Sequence, residues 1–418
     1  MLDNYLARTP RSRELFERAT RVLPGGSTRT SVYFPPYAPY MVEAEGTRLK
    51  DADGNTYRDF LCNYTAMILG HRHPAVVAAV QAQLARGTAF GAPTEPEVEL
   101  AEEIVRRLPS VERVRFTNSG TEATMMAIRA ARAFTGRPLL ARFERSYHGT
   151  HDTVQAGTPG VPDAISDLVI DLPWADMAGA ERAIAGRERD LAAIIVEPVQ
   201  GGGGIRVATP AFLRDLRELT ERIGALLIFD EIISFRVGPG GAQGRFGVRP
   251  DLTTLGKVIG GGFPVGAFGG RADVMDIFDA RRAGALSHAG TYNGNPITAS
   301  AGLATLRELT PERYARLDAL GDHLRSTLAE GIASAGLDAK VAGIGSLFQV
   351  FAGERLGADA TGVPSAPGLF LGLLLAGFYM APRGMGVIAV PTTDQDVDDV
   401  GEAILGVLAR PQPAASAA

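Results

Sequence analysis

The sequence predicts an α/β protein with a mainly parallel sheet and a second, smaller α+β domain. Short apolar runs alternate with helical stretches between about residues 46 and 301, the order that builds a parallel sheet. One run, Ala225–Phe229, is apolar throughout, which is typical of a strand buried on both faces. We expect segments 1–45 and 302–410 to form the second domain together, and residues 411–418, rich in Pro and Ala, to be a disordered tail.

Composition and charge limit the partners and the compartment. The 418 residues are 45% hydrophobic and 21% charged, as in ordinary soluble proteins. The formal charge of −5 and the lack of a Lys/Arg-rich block predict no nucleic-acid or anionic-membrane partner. The one cysteine, Cys62, cannot form an internal disulfide, which favours the cytoplasm. The longest apolar stretch, Leu369–Tyr379, is too short to span a bilayer and is predicted to be a core helix.

The amino-terminal region combines a helix, an extended stretch and a hairpin. Apolar residues at helical spacing predict a helix over Ser12–Val22, and Pro24 begins the Pro-Gly-Gly turn that ends it. Arg29 follows as a lone cation among small and aromatic residues, and composition alone favours a surface charge there. Alternating residues around the Asp51–Asn55 turn predict a small antiparallel ribbon over Met41–Phe60.

Further elements follow from the same patterns of apolar residues. The predicted helices span about 71–86, 95–108, 123–134, 210–223 and 299–333, and the predicted strands span about 111–116, 139–143, 193–196, 225–229, 251–255, 266–270, 343–350 and 387–390. Histidines 71, 73, 148 and 151 raise the possibility of a metal site. Their two pairs lie far apart in sequence and have no Cys or acidic partner at ligand spacing, so we predict no metal.

A turn at the start of one predicted helix is a candidate anion site. Ser119 and Glu122 have the spacing of a capping box, and capping alone explains that pair. The backbone N–H groups of Gly120 and Thr121 at the helix N-terminus, with the nearby hydroxyls, also suit a phosphate.

An acid and a lysine follow two neighbouring apolar segments. Ala225–Phe229 ends in Asp230, and Asp251–Leu255 leads through a glycine to Lys257. Charged residues at the carboxyl ends of such strands lie where open α/β sheets bind ligands. The pair suggests pyridoxal phosphate chemistry, in which the lysine forms a Schiff base with the cofactor and the acid keeps the pyridine nitrogen protonated. These residues alone are equally compatible with a structural salt bridge.

The segment from Leu227 to Gly262 resembles the class III, pyridoxal-phosphate-dependent aminotransferases. It carries Leu-Ile-Phe-Asp-Glu followed by Asp-Leu-Thr-Thr-Leu-Gly-Lys-Val-Ile-Gly-Gly-Gly at the spacing of that family. The resemblance covers nearly the whole chain. It implies the type I fold of these enzymes, with a seven-stranded sheet in a cofactor-binding domain over 46–301, and a homodimer with a shared active site.

The resemblance also implies roles for individual residues. Lys257 would hold the cofactor and then move the proton as general base, and Asp230 would pair with the pyridine nitrogen. The remaining residues implied for cofactor binding are Ser119, Gly120 and Thr121 at the phosphate, Tyr147 stacked on the ring, Gln200 at the 3-hydroxyl, His148, Ile232, and Thr291 at the phosphate of the neighbouring subunit.

The substrate is the least determined part of the resemblance. The amino-terminal helix and the Pro-Gly-Gly turn are similar to glutamate-1-semialdehyde 2,1-aminomutases, whereas Gln200, Thr291–Asn293 and Pro382–Gly384 depart from them. The set of Arg29, His288–Asn293 and Ala381–Gly384 looks more like β-phenylalanine aminotransferases, in which arginines matching Arg29 and Arg383 bind carboxylates. An arginine fork suits a carboxylate, and both arginines are lone cations in small or apolar sequence surroundings.

The predicted function is therefore a ping-pong transaminase. It would move an amino group from an aromatic β-amino acid, such as β-phenylalanine, to a keto acid such as 2-oxoglutarate or pyruvate. The alternatives are a glutamate-1-semialdehyde 2,1-aminomutase and a racemase or decarboxylase on the same fold. A non-enzymatic relative is disfavoured because Lys257 and Asp230 are both present.

Overall fold

The computed structural model describes residues 1–352 and 367–410, so the predicted tail at 411–418 lies outside the described residues. The strands of this part of the chain are β1 (Met41–Glu45), β2 (Arg48–Asp51), β3 (Thr56–Asp59), β4 (Arg113–Thr117), β5 (Leu139–Phe143), β6 (Val169–Leu172), β7 (Leu191–Val196), β8 (Val199–Gln200), β9 (Arg206–Val207), β10 (Leu226–Asp230), β11 (Leu252–Gly256), β12 (Gly266–Gly270), β13 (Ala339–Ile344), β14 (Leu347–Ala352), β15 (Phe378–Tyr379) and β16 (Met385–Val387).

The helices of the same ranges are α1 (Leu2–Arg8), α2 (Pro10–Ala19), α3 (Cys62–Thr65), α4 (Pro74–Leu84), α5 (Glu95–Arg107), α6 (Gly120–Thr135), α7 (Asp163–Ser166), α8 (Met177–Ile184), α9 (Pro210–Ile223), α10 (Gly241–Phe246), α11 (Ala272–Met275), α12 (Pro296–Glu308), α13 (Pro311–Ser334), α14 (Pro367–Leu375) and α15 (Asp394–Leu408). None of the helices in the described residues combines the length and the apolar character needed to cross a bilayer.

The chain divides into two compact units. One unit is continuous and spans Pro74–Tyr314, and the other combines Met1–His73 with Ala315–Ala418. Both boundaries lie later in the chain than the predicted ones, which follow residues 45 and 301. The antiparallel ribbon of β1, β2 and β3 belongs to the unit formed by the chain ends.

The continuous unit contains a seven-stranded sheet with the order β4-β12-β11-β10-β7-β5-β6. Neighbouring strands pair in parallel from β11 to β6, and β12 pairs antiparallel with both β11 and β4. Every strand except β12 therefore runs in the same direction, which confirms the mainly parallel sheet. The carboxyl ends of β4, β5, β7, β10 and β11 consequently lie along one edge.

The uninterrupted apolar runs are explained by packing on both faces of this sheet. In β10, Leu227 and Phe229 belong to one buried cluster, whereas Leu226 and Ile228 belong to another. Helices α8 and α9 contribute to the first cluster and α6 contributes to the second. Because successive side chains of a strand point to opposite faces, both faces of β10 require apolar residues.

The unit formed by the chain ends contains two small sheets whose strands pair mostly antiparallel. Two elements of this unit differ from those predicted from the sequence. The predicted strand over 343–350 is a hairpin of β13 and β14, which turns at Gly345 with a φ of 56°. The predicted helix Leu369–Tyr379 stops at Leu375, and Phe378 and Tyr379 form β15 beside β3. Gly377, with a φ of 87°, allows this change of direction.

Gly266 in β12 connects the sheet to the turn that precedes α6. It pairs with Thr117, and an added Cβ would lie 2.0 Å from the Ser119 carbonyl oxygen and 2.3 Å from Thr117 Oγ1. We therefore expect Gly266→Ala to lower the free energy of unfolding by about 1–3 kcal/mol or more, as other overpacked cores do. Gly244→Ala is the control, because it lies in α10 with open space around it. Equal free energies from urea unfolding of the two variants would contradict this close approach.

Candidate active site

Five parallel strands carry candidate site residues at their carboxyl ends, and all of these residues except Glu197 were predicted from the sequence. In sheet order, β4 leads to Ser119, β11 to Lys257, β10 ends in Asp230, β7 leads to Glu197, and β5 leads to Tyr147 and His148. Ligands bind at this edge in open α/β sheets. The topology therefore brings together residues that lie up to 138 positions apart in sequence, from Ser119 to Lys257.

Asp230 is a buried carboxylate with two protein partners. Its Oδ2 lies 2.7 Å from His148 Nδ1, and its Oδ1 accepts a hydrogen bond of 3.1 Å from the Ile232 N–H. Only 3% of Asp230 is exposed, and His148 is also buried. His148 Nε2 has no hydrogen-bond partner within the described part of the chain. Asp230 is thus held in one orientation at the strand end, as an acid that pairs with a cofactor would need to be.

Lys257 directly follows β11, the neighbour of β10. The register pairs Asp230 with Thr254, three residues before the lysine. The Lys257 backbone is left-handed, with a φ of 48°, a conformation that non-glycine residues adopt at a cost of about 1–3 kcal/mol. The glycines behind it serve packing, since an added Cβ at Gly261 would lie 2.5 Å from the Ala301 carbonyl oxygen.

The turn between β4 and α6 contains the predicted capping box. Ser119 Oγ accepts a hydrogen bond of 3.1 Å from the Glu122 N–H, and Glu122 Oε2 accepts one of 2.6 Å from the Asn118 N–H. Gly120 allows close packing, because an added Cβ would lie 2.6 Å from Ile232 Cδ1. Helix α6 has 16 residues and directs the positive end of its dipole toward this edge.

Tyr147 and Gln200 differ in what they present to a ligand. Tyr147 is 53% exposed, so much of this aromatic residue is accessible. Gln200 is 0% exposed, and its Nε2 donates to the Glu144 carbonyl oxygen at 2.7 Å and to Ser146 Oγ at 3.0 Å. Gln200 thus braces the loop after β5 through both amide hydrogens, and its contact with a 3-hydroxyl stays a prediction.

Glu197, which directly follows β7, is a candidate site residue that was not predicted from the sequence. Its Oε2 accepts a hydrogen bond of 2.9 Å from the Tyr147 N–H, and its Oε1 accepts one of 3.1 Å from the Gly201 N–H. Burial raises the pKa of the Glu197 carboxyl to about 7, with His148 opposing the rise and Asp230 adding to it. Glu197 could have been predicted from the sequence, because it is a charged residue that directly follows a fully apolar strand.

Thr291 is exposed and belongs to a loop connected to the capping-box turn. Within this loop, Asn293 Oδ1 accepts a hydrogen bond of 2.9 Å from Asn118 Nδ2, and Asn293 Nδ2 lies 3.2 Å from His288 Nε2. Burial lowers the pKa of His288. These contacts fix the base of the loop.

The two predicted substrate arginines belong to the unit formed by the chain ends. Arg29 is exposed, donates to Asn63 Oδ1 at 3.0 Å and lies 5.8 Å from the centre of the Tyr64 ring. Arg383 is half-buried in the turn between β15 and β16, where its carbonyl oxygen accepts from Gln349 Nε2. Neither arginine is fully buried, so the cost of a buried charge does not by itself demand a ligand.

Asn63 and Tyr64 lie in an unusual turn. Cys62, Asn63, Tyr64 and Thr65 have φ values from 46° to 79°, so α3 is a left-handed turn of non-glycine residues. Each such residue costs roughly 1–2 kcal/mol. Asp59 Oδ1 supports the turn by accepting hydrogen bonds from the N–H groups of Leu61 and Cys62.

Pyridoxal phosphate requires an amine, an acid for its ring nitrogen and an anion site for its phosphate. Lys257, Asp230 and the N-terminus of α6 offer these three groups along one sheet edge. Within residues 1–352 and 367–410, no three His, Cys, Asp or Glu side chains are grouped as a metal site would require. The residues present therefore fit this cofactor. Fold and site together define the class of this protein as a pyridoxal-phosphate-dependent enzyme.

Residues 33–360 match the family model described as aminotransferase class-III. The chain therefore belongs to the class III aminotransferases, has the type I fold of pyridoxal-phosphate enzymes, and uses pyridoxal 5'-phosphate as cofactor. This confirms the predicted family, fold and cofactor.

Curated relatives and solved structures carry different names. A glutamate-1-semialdehyde 2,1-aminomutase of Methanothermobacter thermautotrophicus is 42% identical over 388 residues, covering 89% of this chain and 92% of the relative. An omega-transaminase structure from Sphaerobacter thermophilus is 44% identical, with a TM-score of 0.90 over 95% of this chain and 97% of its own. A β-phenylalanine aminotransferase structure from Variovorax paradoxus is 38% identical, with a TM-score of 0.89 over 97% and 95%.

Proposed function

We propose that the carboxyl edge of the large sheet performs amino-group transfer, with Lys257 and Asp230 as its catalytic residues. The observation that carries this proposal is that the two residues end neighbouring parallel strands, with Asp230 opposite Thr254 in the register. When bound, pyridoxal phosphate supplies an aldehyde that takes up amino groups and a ring that withdraws electrons.

The residues of this chain have separate tasks in the proposal. Lys257 binds the cofactor covalently and, once released, moves a proton as general base. Asp230 holds a proton at the ring nitrogen through its negative charge, and His148 keeps the carboxylate oriented. Tyr147 presents its exposed ring to the cofactor, Ile232 lines the same edge, and the turn of Ser119, Gly120 and Thr121 binds the phosphate.

Two candidate substrates differ in their support. Curated relatives that are 40–43% identical over 82–94% of this chain are named glutamate-1-semialdehyde 2,1-aminomutases, which favours glutamate 1-semialdehyde over the β-amino acid predicted from the sequence. An aromatic β-amino acid keeps specific support from the similarity to the Variovorax and Sphaerobacter structures and from the segments containing Thr291 and Arg383.

A pair of assays on the holoenzyme separates these substrates. An aminomutase would convert glutamate 1-semialdehyde to its isomer 5-aminolevulinate without a second keto acid. The β-amino acid candidate converts β-phenylalanine only when 2-oxoglutarate or pyruvate is present. Turnover of neither substrate, with a panel of other amino donors also inactive, would contradict amino-group transfer itself.

Arg29 is proposed to bind the substrate carboxylate through its guanidinium fork. Arg29→Ala should lower kcat/KM by about 30- to 150-fold, the effect of losing a charge-assisted hydrogen bond of about 2–3 kcal/mol. Arg249→Ala is the control, because this exposed arginine precedes β11 at the opposite end of that strand. Equal kcat/KM values for both variants on the better substrate would contradict a role of Arg29 in substrate binding.

Arg383→Ala should lower kcat/KM for β-phenylalanine by a similar factor and leave kcat/KM for glutamate 1-semialdehyde almost unchanged.

A homodimer with a shared active site is also part of the proposal, with Thr291 reaching the phosphate bound by the partner. Mixing Lys257→Ala with a Thr291→Ala variant should restore activity above that of either variant alone, because hybrid dimers regain one intact site. The measurement is activity after subunit exchange. A fully active monomer in sedimentation would contradict the shared site.

A further inference from the structure

Glu197 is a buried carboxylate to which the proposed chemistry gives no task. It follows β7, which lies between β5 and β10 in the sheet. Only 3% of the residue is exposed. Removing a carboxylate from water costs several kcal/mol unless hydrogen bonds and charges compensate, so a residue of this kind at a ligand-binding edge is a candidate for function.

The contacts of Glu197 join two loops of the candidate site. One carboxylate oxygen accepts from the Tyr147 N–H at 2.9 Å in the loop after β5, and the other accepts from the Gly201 N–H at 3.1 Å in the loop after β8. Gly201 also packs against the loop after β10, since an added Cβ would lie 2.2 Å from Ile233 Cδ1. The position of the Tyr147 backbone therefore depends on Glu197.

The charges around Glu197 belong to the same edge. His148, the residue after Tyr147, contacts Asp230 at 2.7 Å, and both His148 and Asp230 act electrostatically on the Glu197 carboxyl. A neutral acceptor would bind one or two backbone N–H groups without placing a second carboxylate near Asp230. A second carboxyl group close to Asp230 is thus an unfavourable choice for a purely structural acceptor.

We propose that Glu197 is a positioning residue for amino-group transfer, which holds the Tyr147 ring against the cofactor by binding the backbone of its loop. This inference rests on the proposed function, in which Tyr147 stacks on the cofactor ring. Glu197 itself touches neither substrate nor cofactor in this role.

The test uses Glu197→Gln in the full-length protein. Glutamine keeps the size of the side chain, but its amide hydrogens face one of the two backbone N–H groups, so one of the two contacts is lost. The Kd of the cofactor-free protein for pyridoxal phosphate should rise about 10- to 100-fold, as expected for loss of a buried hydrogen bond that positions the Tyr147 loop. The visible circular dichroism of the bound cofactor, which reports the orientation of its ring, should fall to less than about half.

Glu231→Gln is the matched control. Glu231 is equally buried and accepts from the N–H groups of Ala242 at 2.6 Å and Gln243 at 3.0 Å, in a loop that does not carry Tyr147. It should lower Tm while the Kd and the visible dichroism stay within about twofold of wild type. If Glu197→Gln does not fold, Glu197→Asp, which keeps the charge but reaches less far, should give the same two changes in smaller measure.

The outcomes separate this inference from the proposed function. A Glu197 variant with wild-type Kd and dichroism, or one that matches Glu231→Gln in every readout, overturns the positioning role while the wild type remains active. A wild-type protein that binds pyridoxal phosphate at no lysine and transfers no amino group overturns the proposed function instead.

Discussion

Replacing Lys257 with alanine is expected to lower kcat by at least about 10⁴-fold. The substitution removes the general base, which contributes about 10²–10⁴-fold on its own, and it also removes the amine that attaches the cofactor. The visible absorbance of the covalently held cofactor should disappear with it. Fold stability should change little, because the side chain is only partly buried beside a loop shaped by glycines.

The other lysines of the chain provide the controls. The sequence contains only Lys50 and Lys340 besides Lys257. Both are exposed, Lys50 in β2 beside Glu43 and Lys340 in β13 over the Phe351 ring. Alanine at either position should leave kcat within about twofold of wild type. Residual activity of Lys257→Ala above about 1% of wild type would contradict the assignment of this lysine.

Asp230→Asn is expected to lower kcat by about 10²- to 10³-fold. Asparagine replaces the buried carboxylate that lies 2.7 Å from His148 Nδ1 by a neutral amide. The ring nitrogen would also lose the charge that keeps it protonated. Steady-state kinetics at saturating pyridoxal phosphate measure the effect on kcat, and Asp230→Glu should recover part of the activity.

Asp251→Asn separates catalysis from stability. Asp251 is another buried aspartate, and it accepts from the Leu227 N–H and from Arg217 and Arg271 at the opposite end of the strands. This variant should unfold at lower temperature but keep kcat per folded molecule. If Asp230→Asn loses stability without losing kcat, its charge is structural and the proposed role is wrong.

The large sheet was the part of the fold most accessible from sequence. The predicted bounds of β5, β12 and α9 agree with the structure to the residue. Apolar runs flanked by turns specify such strands, because both faces are covered by helices and tolerate few polar residues. The order of the strands was not predictable from the sequence pattern, and it is this order that places Glu197 between Asp230 and Tyr147.

Elements near glycines were harder to predict. The sequence pattern of 343–350 reads as one strand because Gly345 can be part of a strand or of a turn, and the pairing of β13 with β14 decides between them. The predicted helix over 12–22 ends at Ala19, and the predicted helix over 299–333 is interrupted before Pro311. In each case backbone pairing or capping sets a boundary that apolar periodicity leaves open.

The candidate site was predictable only where residue type determines the chemistry. Lys257 and Asp230 were found because an amine and an acid that end neighbouring apolar segments suit pyridoxal phosphate, and because the family motif contains both. The contacts of Gln200 and Glu197 could not be predicted in this way, because each side chain binds a loop whose position only the folded structure shows. The left-handed turn at 62–65, which contains Asn63 as the hydrogen-bond partner of Arg29, was not predictable either, because non-glycine residues rarely adopt positive φ values.

The most direct test of the proposed active site is to identify the lysine that carries pyridoxal phosphate. Borohydride reduction of the wild-type holoenzyme fixes the cofactor to its lysine, and peptide mass mapping then locates the label among the three lysines of the sequence. The label is expected on Lys257 at close to one per chain, and on neither Lys50 nor Lys340. Stoichiometric label on Lys50 or Lys340, or no label on Lys257 in a protein that transfers amino groups, would contradict the proposed active site.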